Sequence, residues 1–445
     1  MLSSLPLELA SRVLLASNAS LDFLLNRLPA SQHVIALCAY NPTIEAFSGC
    51  SIRVPLHTDP SDYPALRLVS ATASMTFLTT LKLTGCHLHQ ASTAAPKALT
   101  QFSRMAGLQE LDLSSNLLDS SDAMHLFPSL HNLPLVHLRV ADNQLEDAGV
   151  IVMSQHMSAI SLITLLDVGR NGCTSAGAEE LGSALCGLPN LQSLNVSENR
   201  ICAEFVEALV PYFASVPELR ELCMKACGNC GHGFGNNGAV ALAEALSAAP
   251  KLERLLVECN RIGGVGCTAL AQHMTQCTGL STLDLGRNRL GPGCSILALA
   301  QSFSNLSVLQ ELILQGAEIY NDGAVALANN LPRLSNLRLL NVGGCGLTVA
   351  GLRSLAGCLP ELTSLQTLNL KNNLMFVAGC NALLPALVEM GSLQDLSLRG
   401  CALGSRGAVA MALQLPGMNT LKRLDLTANG IRCGIQSHVD THSLM

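Results

Sequence analysis

The chain has no tryptophan, and aromatic residues make up only 3% of its 445 residues. A core of stacked rings is excluded. The apolar fraction is nevertheless 49%, so the core must be built from leucine, alanine, valine and isoleucine. Charged residues are scarce at 13%, and the formal net charge is only −6. So mild an imbalance gives no argument for a nucleic-acid partner, and none is expected. No apolar run approaches the roughly eighteen residues a membrane span needs, so no membrane association is expected. Residues Met1-Leu2-Ser3-Ser4-Leu5-Pro6-Leu7-Glu8 place no basic group ahead of the apolar ones, which argues against a secretory signal. The HExxH, GxSxG and GxxxxGK[ST] patterns are missing, and the twelve histidines pair with no obvious carboxylate and nucleophile. The expectation is a protein without catalytic residues, cofactor or metal.

What is abundant is leucine at a fixed spacing. The stretch Leu280-Ser281-Thr282-Leu283-Asp284-Leu285-Gly286-Arg287-Asn288-Arg289-Leu290 is one copy of LxxLxLxxNxL, and thirteen copies occur. Aligned on the second leucine they fall at Leu81, Leu111, Leu138, Leu166, Leu194, Leu222, Leu255, Leu283, Leu312, Leu340, Leu368, Leu396 and Leu424. Most steps are 28 residues; the longest, from Leu222 to Leu255, is 33. A fixed period with this pattern is the signature of a repeat architecture.

The alternation Leu283-x-Leu285 predicts a short strand with one face inward, leaving Asp284 exposed on the other. The asparagine that follows, as at Asn116, Asn143, Asn171, Asn199, Asn260, Asn288, Asn373 and Asn429, is expected to turn inward. Its amide must then bond to the turning backbone, so stacked copies form a ladder. Cys86, Cys227, Cys345 and Cys401 take the same slot as small apolar groups with a weak donor, while Ala317 should interrupt the ladder. The second half of each repeat has helical spacing; in 238–246, Val240 or Leu242 with Leu246 forms the apolar stripe. Glycine recurs six residues after the slot at Gly149, Gly177, Gly266, Gly323, Gly351, Gly379 and Gly407, which suggests tight packing at the start of each helix.

A 28-residue unit with a full helix resembles the ribonuclease-inhibitor-like leucine-rich repeats. That family includes ribonuclease inhibitor, Ran GTPase-activating protein, NOD-like receptor sensor regions and dynein-regulatory subunits. The resemblance implies an α/β leucine-rich-repeat solenoid, a horseshoe with parallel strands on its concave face and helices on its convex face. Strands stack about 4.8 Å apart and helices 8–10 Å apart, so each repeat should turn relative to the last.

Three segments follow: a capping region at 1–77, helical and then irregular; the thirteen repeats at 78–431; and a short tail at 432–445. The eighteen cysteines show no disulfide framework and read as reduced thiols, which points to the cytoplasm, with nucleus or cilium as alternatives.

The long step contains Cys223, Cys227, Cys230 and His232, formally four zinc ligands, and Gly233-x-Gly235-x-x-Gly238, formally a nucleotide-binding fingerprint. Cys227 belongs to the ladder and Gly238 to the helix start, so the expectation is an inserted contact loop. Function then falls to the outward strand positions. In repeats 2–7 these carry Glu110, Asp112, Asp142, Asp167, Glu198, Glu221, Glu253 and Glu258 against Arg139, Arg170, Arg220, Lys225 and Arg254. In repeats 10–13 they carry Arg338, Lys371, Arg399, Lys422 and Arg423 against Asp395 and Asp425.

The expectation is a non-enzymatic scaffold, a monomer or a subunit of a larger complex, that grips a protein partner in its concavity. The expected contacts are Asp112, Arg139, Asp167, Arg170, Glu198, Arg220, Glu258, Arg287, Arg338, Lys371, Arg399 and Arg423. The family resemblance also implies two alternatives: a GTPase-activating protein for a small GTPase, or a subunit of a ciliary or cytoskeletal assembly. The acidic stretch that follows the repeats in the Ran regulator has no counterpart here.

Overall fold

A computed structural model describes residues 79–85, 88–90, 95–226, 233–291 and 293–431, together with Val69. The expected cap apart from Val69, the tail, the slot residues Cys86 and Cys227, and the insertion at 227–232 lie outside the described residues. The chain divides into two compact units, Met1–Arg261 and Ile262–Met445.

Among the described residues the first unit holds seven strands: β1 (Thr80–Lys82), β2 (Glu110–Asp112), β3 (His137–Arg139), β4 (Leu165–Asp167), β5 (Ser193–Asn195), β6 (Glu221–Cys223) and β7 (Arg254–Leu256). The second holds six: β8 (Thr282–Asp284), β9 (Glu311–Ile313), β10 (Leu339–Asn341), β11 (Thr367–Asn369), β12 (Asp395–Ser397) and β13 (Arg423–Asp425). Within each unit neighbours in sequence pair in parallel, with repeat leucine opposite repeat leucine, as in Leu166↔Leu194 and Leu340↔Leu368. The central leucine of each strand is buried, except that Leu424 in β13 is half-buried.

The inward asparagines form the expected ladder. The Asn143 amide donates to the carbonyls of Leu113 at 3.0 Å and Val140 at 2.9 Å. Its oxygen accepts from the N–H groups of Asn116 at 2.9 Å and Leu118 at 3.0 Å. One side chain thus satisfies backbone groups of two repeats, and Asn199, Asn373 and Asn429 do the same. At Ala317 the amide is lost, and the backbone closes the gap. The Ala317 N–H donates to Leu314 at 3.0 Å, and the Cys345 thiol of the next repeat reaches the same carbonyl at 2.9 Å.

The recurring glycines have a simple cause. A Cβ on Gly149 would lie 2.8 Å from Leu145, and one on Gly177 would lie 2.5 Å from the Cys173 sulfur. The helix start folds its preceding side chain over that position, leaving no room for another. Gly238 is closed off in the same way by Phe234, which gives the apparent nucleotide fingerprint a packing role. In that helix Leu242, Ala243 and Leu246 face the core, while Val240 is only half-buried. Alanine at small radius, rather than a second large residue, completes the stripe.

Candidate functional site

Each strand begins and ends with an outward residue, and two backbone devices fix where its side chain goes. The first lies at the strand's last residue. Asp112, Asp167, Asn195, Asp284, Asn341, Asn369 and Asp425 each turn the side-chain oxygen back to accept the N–H two residues on, at 2.9–3.2 Å. The expected exposure of Asp284 is therefore wrong. It is 3% exposed, its carboxylate folded onto Gly286 at 3.0 Å, and Thr282 on the same face is equally buried. Asp112 and Asp167 likewise serve their own turns. Burial raises the Asp167 carboxyl above its ordinary range despite its bonds to Gly169 and Asn195. The recurrence of Asp or Asn just after the repeat leucine was the available sequence signal.

The second device lies just before the ladder slot. In twelve repeats that residue has a positive φ, between 51° and 69°. Eight are not glycine: Ser115, Asp142, Arg170, Glu198, Cys259, Arg287, Asn372 and Ala428. Such a conformation costs an L-residue about 1–2 kcal/mol. It persists where the slot asparagine pins the turn through several hydrogen bonds. Where the slot holds Ala317, Cys345 or Cys401, with fewer bonds, the preceding residue is Gly316, Gly344 or Gly400. The expected contacts Arg170, Glu198 and Arg287 thus project from fixed, left-handed backbone.

The charges separate into two patterns. In the first unit the expected acidic surface is internally paired from rung to rung. Glu110 meets His137 at 3.1 Å, Glu198 meets Arg170 at 2.7 Å, Glu258 meets Lys225 at 3.3 Å, and Glu221 lies 3.7 Å from Arg254. Glu253 pairs with Arg220, and Asp142 accepts from the Ser115 hydroxyl at 2.7 Å. Opposite charges on adjacent strands are a stabilising arrangement. Arg139, at the end of β3, lies within Coulombic reach of Asp167.

In the second unit Arg423 pairs with Asp395 through a 2.8 Å bond, and Lys422 donates to Gln394 at 2.9 Å. Arg338, Lys371 and Arg399 have no carboxylate within 4 Å among the described residues. The Lys371 stem lies across Gly343, so its position is set although its charge is unpaired. Arg287, just after β8, is exposed.

Among the described residues one trio has metal-ligand chemistry: His89, Asp119 and Asp122, whose donor atoms lie within 4.8 Å of one another. Structure accounts for it. Asp119 and Asp122 form a capping box at the start of helix Ser120–Ser129, and His89 bonds to Asp122 at 2.8 Å. That hydrogen bond raises the His89 imidazole above its ordinary value. No helix among the described residues is long and apolar enough to cross a membrane.

Known proteins agree with this geometry. A leucine-rich-repeat family model matches at residues 131–154, 248–271, 333–356 and 392–412. The chain is 31% identical to mouse (Mus musculus) ribonuclease inhibitor over 47% of this chain and 46% of the inhibitor. It is also 31% identical to the Bos taurus Tonsoku-like protein, over 37% of this chain and 12% of that protein. These matches span about an eighth of the Tonsoku-like protein and just under half of the inhibitor. A Listeria monocytogenes internalin structure superposes with a TM-score of 0.41 at 19% identity, covering 76% of this chain and 92% of that one.

The ladder, the parallel strands and the repeat-model match define an α/β leucine-rich-repeat protein. The likeness to ribonuclease inhibitors supports a ribonuclease-inhibitor-like repeat type.

Proposed function

We propose that the chain is a non-enzymatic scaffold that binds a protein partner through its strand face. One observation carries the reading. Paired charges cover the strand face of the first unit, whereas Arg338, Lys371 and Arg399 on the second have no carboxylate within 4 Å among the described residues. Charges without an internal ion pair need not break one before they meet an external partner, and charge complementarity speeds encounter. The twelve described cysteines are all free thiols, which supports a reducing compartment such as the cytoplasm.

Pull-down of the natural partner tests this. Arg399→Glu with Arg423→Glu should weaken its recovery, more at low than at physiological salt, as screening requires. Glu179→Lys with Glu180→Lys, exposed on the helix Ser175–Leu185, should not. Loss only in the helix variant would move the binding surface to the helix face and sink the proposal.

A further inference from the structure

The edge where strands end and helices begin carries an apolar feature that the core does not explain. Leu374 and Phe376 follow the slot asparagine Asn373 and are 54% and 50% exposed. Phe376 has a φ of 51° at the first residue of helix Phe376–Glu389. Glu146, Tyr320 and Gly404 are left-handed at the same place, and in each the N–H donates to the next slot's carbonyl, as Phe376 does to Cys401 at 3.1 Å and Gly404 to Asn429 at 2.9 Å. That hydrogen bond accompanies the conformation at each of these places, and at Phe376 it holds an aromatic side chain half-exposed at the surface.

Three basic residues lie on this rung and the next. Lys371 lies three residues before Leu374. The Arg399 carbonyl accepts from Asn372 at 2.7 Å, placing Arg399 on the adjacent rung. Exposed Arg406 lies in the first turn of helix Gly404–Gln414. Asp425 is close enough to feel Arg399, but its carboxylate bonds to Thr427 at 2.9 Å and 2.6 Å. Tyr320, also left-handed and exposed at the corresponding place two repeats earlier, has Glu318 and Asp322 beside it and lacks this setting.

We propose that this edge docks an acidic, extended segment of a partner protein. An apolar side chain of the segment rests against Leu374 and Phe376, and its carboxylates meet Lys371, Arg399 and Arg406. Lys371 and Arg399 sit one rung apart, about 4.8 Å along the stack, within side-chain reach of alternate residues of an extended chain. The apolar area is two side chains wide, which fits a peptide residue better than a lipid surface. This inference deepens the scaffold reading and rests on it.

The probe is a short fluorescein-labelled peptide of alternating glutamate and leucine, titrated with the full chain and followed by anisotropy. Saturable binding is expected. Lys371→Glu with Arg399→Glu should weaken it about tenfold or more, as should Phe376→Ser, whereas Arg353→Glu on helix Val349–Cys358 should leave it unchanged. The charge variants alter exposed or half-exposed side chains, so they remain informative if Phe376→Ser unfolds. Equal binding of a lysine–leucine peptide, undiminished binding by the charge variant, or absent binding would each overturn the proposal. So would Phe376-dependent flotation with phosphatidylserine vesicles in place of peptide binding. If the peptide fails while Arg399→Glu with Arg423→Glu still loses the natural partner, the scaffold reading stands and only this inference falls.

Discussion

Individual polar side chains hold consecutive repeats in register. The Asn199 oxygen accepts the N–H groups of Asn171 and Cys173, and its amide bonds the carbonyls of Val168 and Val196. Asn199→Ala strands several buried backbone groups and should cost about 2–3 kcal/mol, read by denaturant titration. Asp147 joins repeats at their helix starts, accepting from the Thr174 N–H at 2.7 Å, the Thr174 hydroxyl at 2.6 Å and the Gly177 N–H at 3.1 Å. Burial alone would raise its pKa, but the hydrogen bonds from Thr174 and Gly177 outweigh it and the net shift is downward. A depressed carboxylate adds stability above its unfolded pKa and loses it as pH falls through the folded value. Asn321 performs the same task uncharged, bonding Thr348 and Gly351 at 3.0 Å. Asp147→Asn should therefore keep the link and flatten the acid limb of the stability profile below about pH 4. An unchanged acid limb would show that the link contributes nothing.

At the scale of the element, a three-residue strand is decided by its central leucine. Leu283→Ala should cost about 2–5 kcal/mol. Asp284→Ala should cost about 1–3 kcal/mol, because it removes the acceptor of the Gly286 N–H, and chemical denaturation of the two variants checks both figures. The strand positions, the ladder slots and the glycines packed at helix starts were legible in the sequence because each recurs with the same residue type. Other features were hidden. Period-two alternation says which side Asp284 leaves the strand, but not that its carboxylate turns back onto its own backbone. The left-handed positions before the slot were invisible because Ser115, Arg170 and Glu198 share no chemistry. They share only a neighbour whose hydrogen bonds hold them. Charge counts along the strands anticipated an acidic first half; which of those carboxylates find cations one rung away required the register.

At the scale of the whole molecule, repeats within each unit contact mainly their neighbours in sequence, so the stability of a unit is approximately a sum of repeat and interface contributions. The thiols report on that sum. Burial pushes Cys173, Cys267 and Cys358 up to about 12, and Cys345 and Cys277 up to about 11. Cys186 and Cys294 are exposed. Brief alkylation followed by mass spectrometry should label Cys186 and Cys294 first and the five buried thiols only as their repeats open. Early labelling of Cys345 would show that the ladder is loose beside Ala317.

The pairing of slot residue and backbone sign also constrains the order in which such a chain can change. With asparagine in the slot, eight residues other than glycine precede it in the left-handed region; with cysteine at Cys345 and Cys401 the turn loses bonds and the left-handed preceding residue is glycine, whereas Ala226, ahead of Cys227, does not adopt that conformation. Asn171→Cys alone leaves Arg170 at a φ of 55° with less to hold it, whereas Arg170→Gly first removes the strain. A double-mutant cycle on these two positions should give a favourable coupling of about 0.5–2 kcal/mol. The accessible route between the two kinds of repeat then passes through glycine, and a lineage that loses its asparagine first must cross a less stable intermediate.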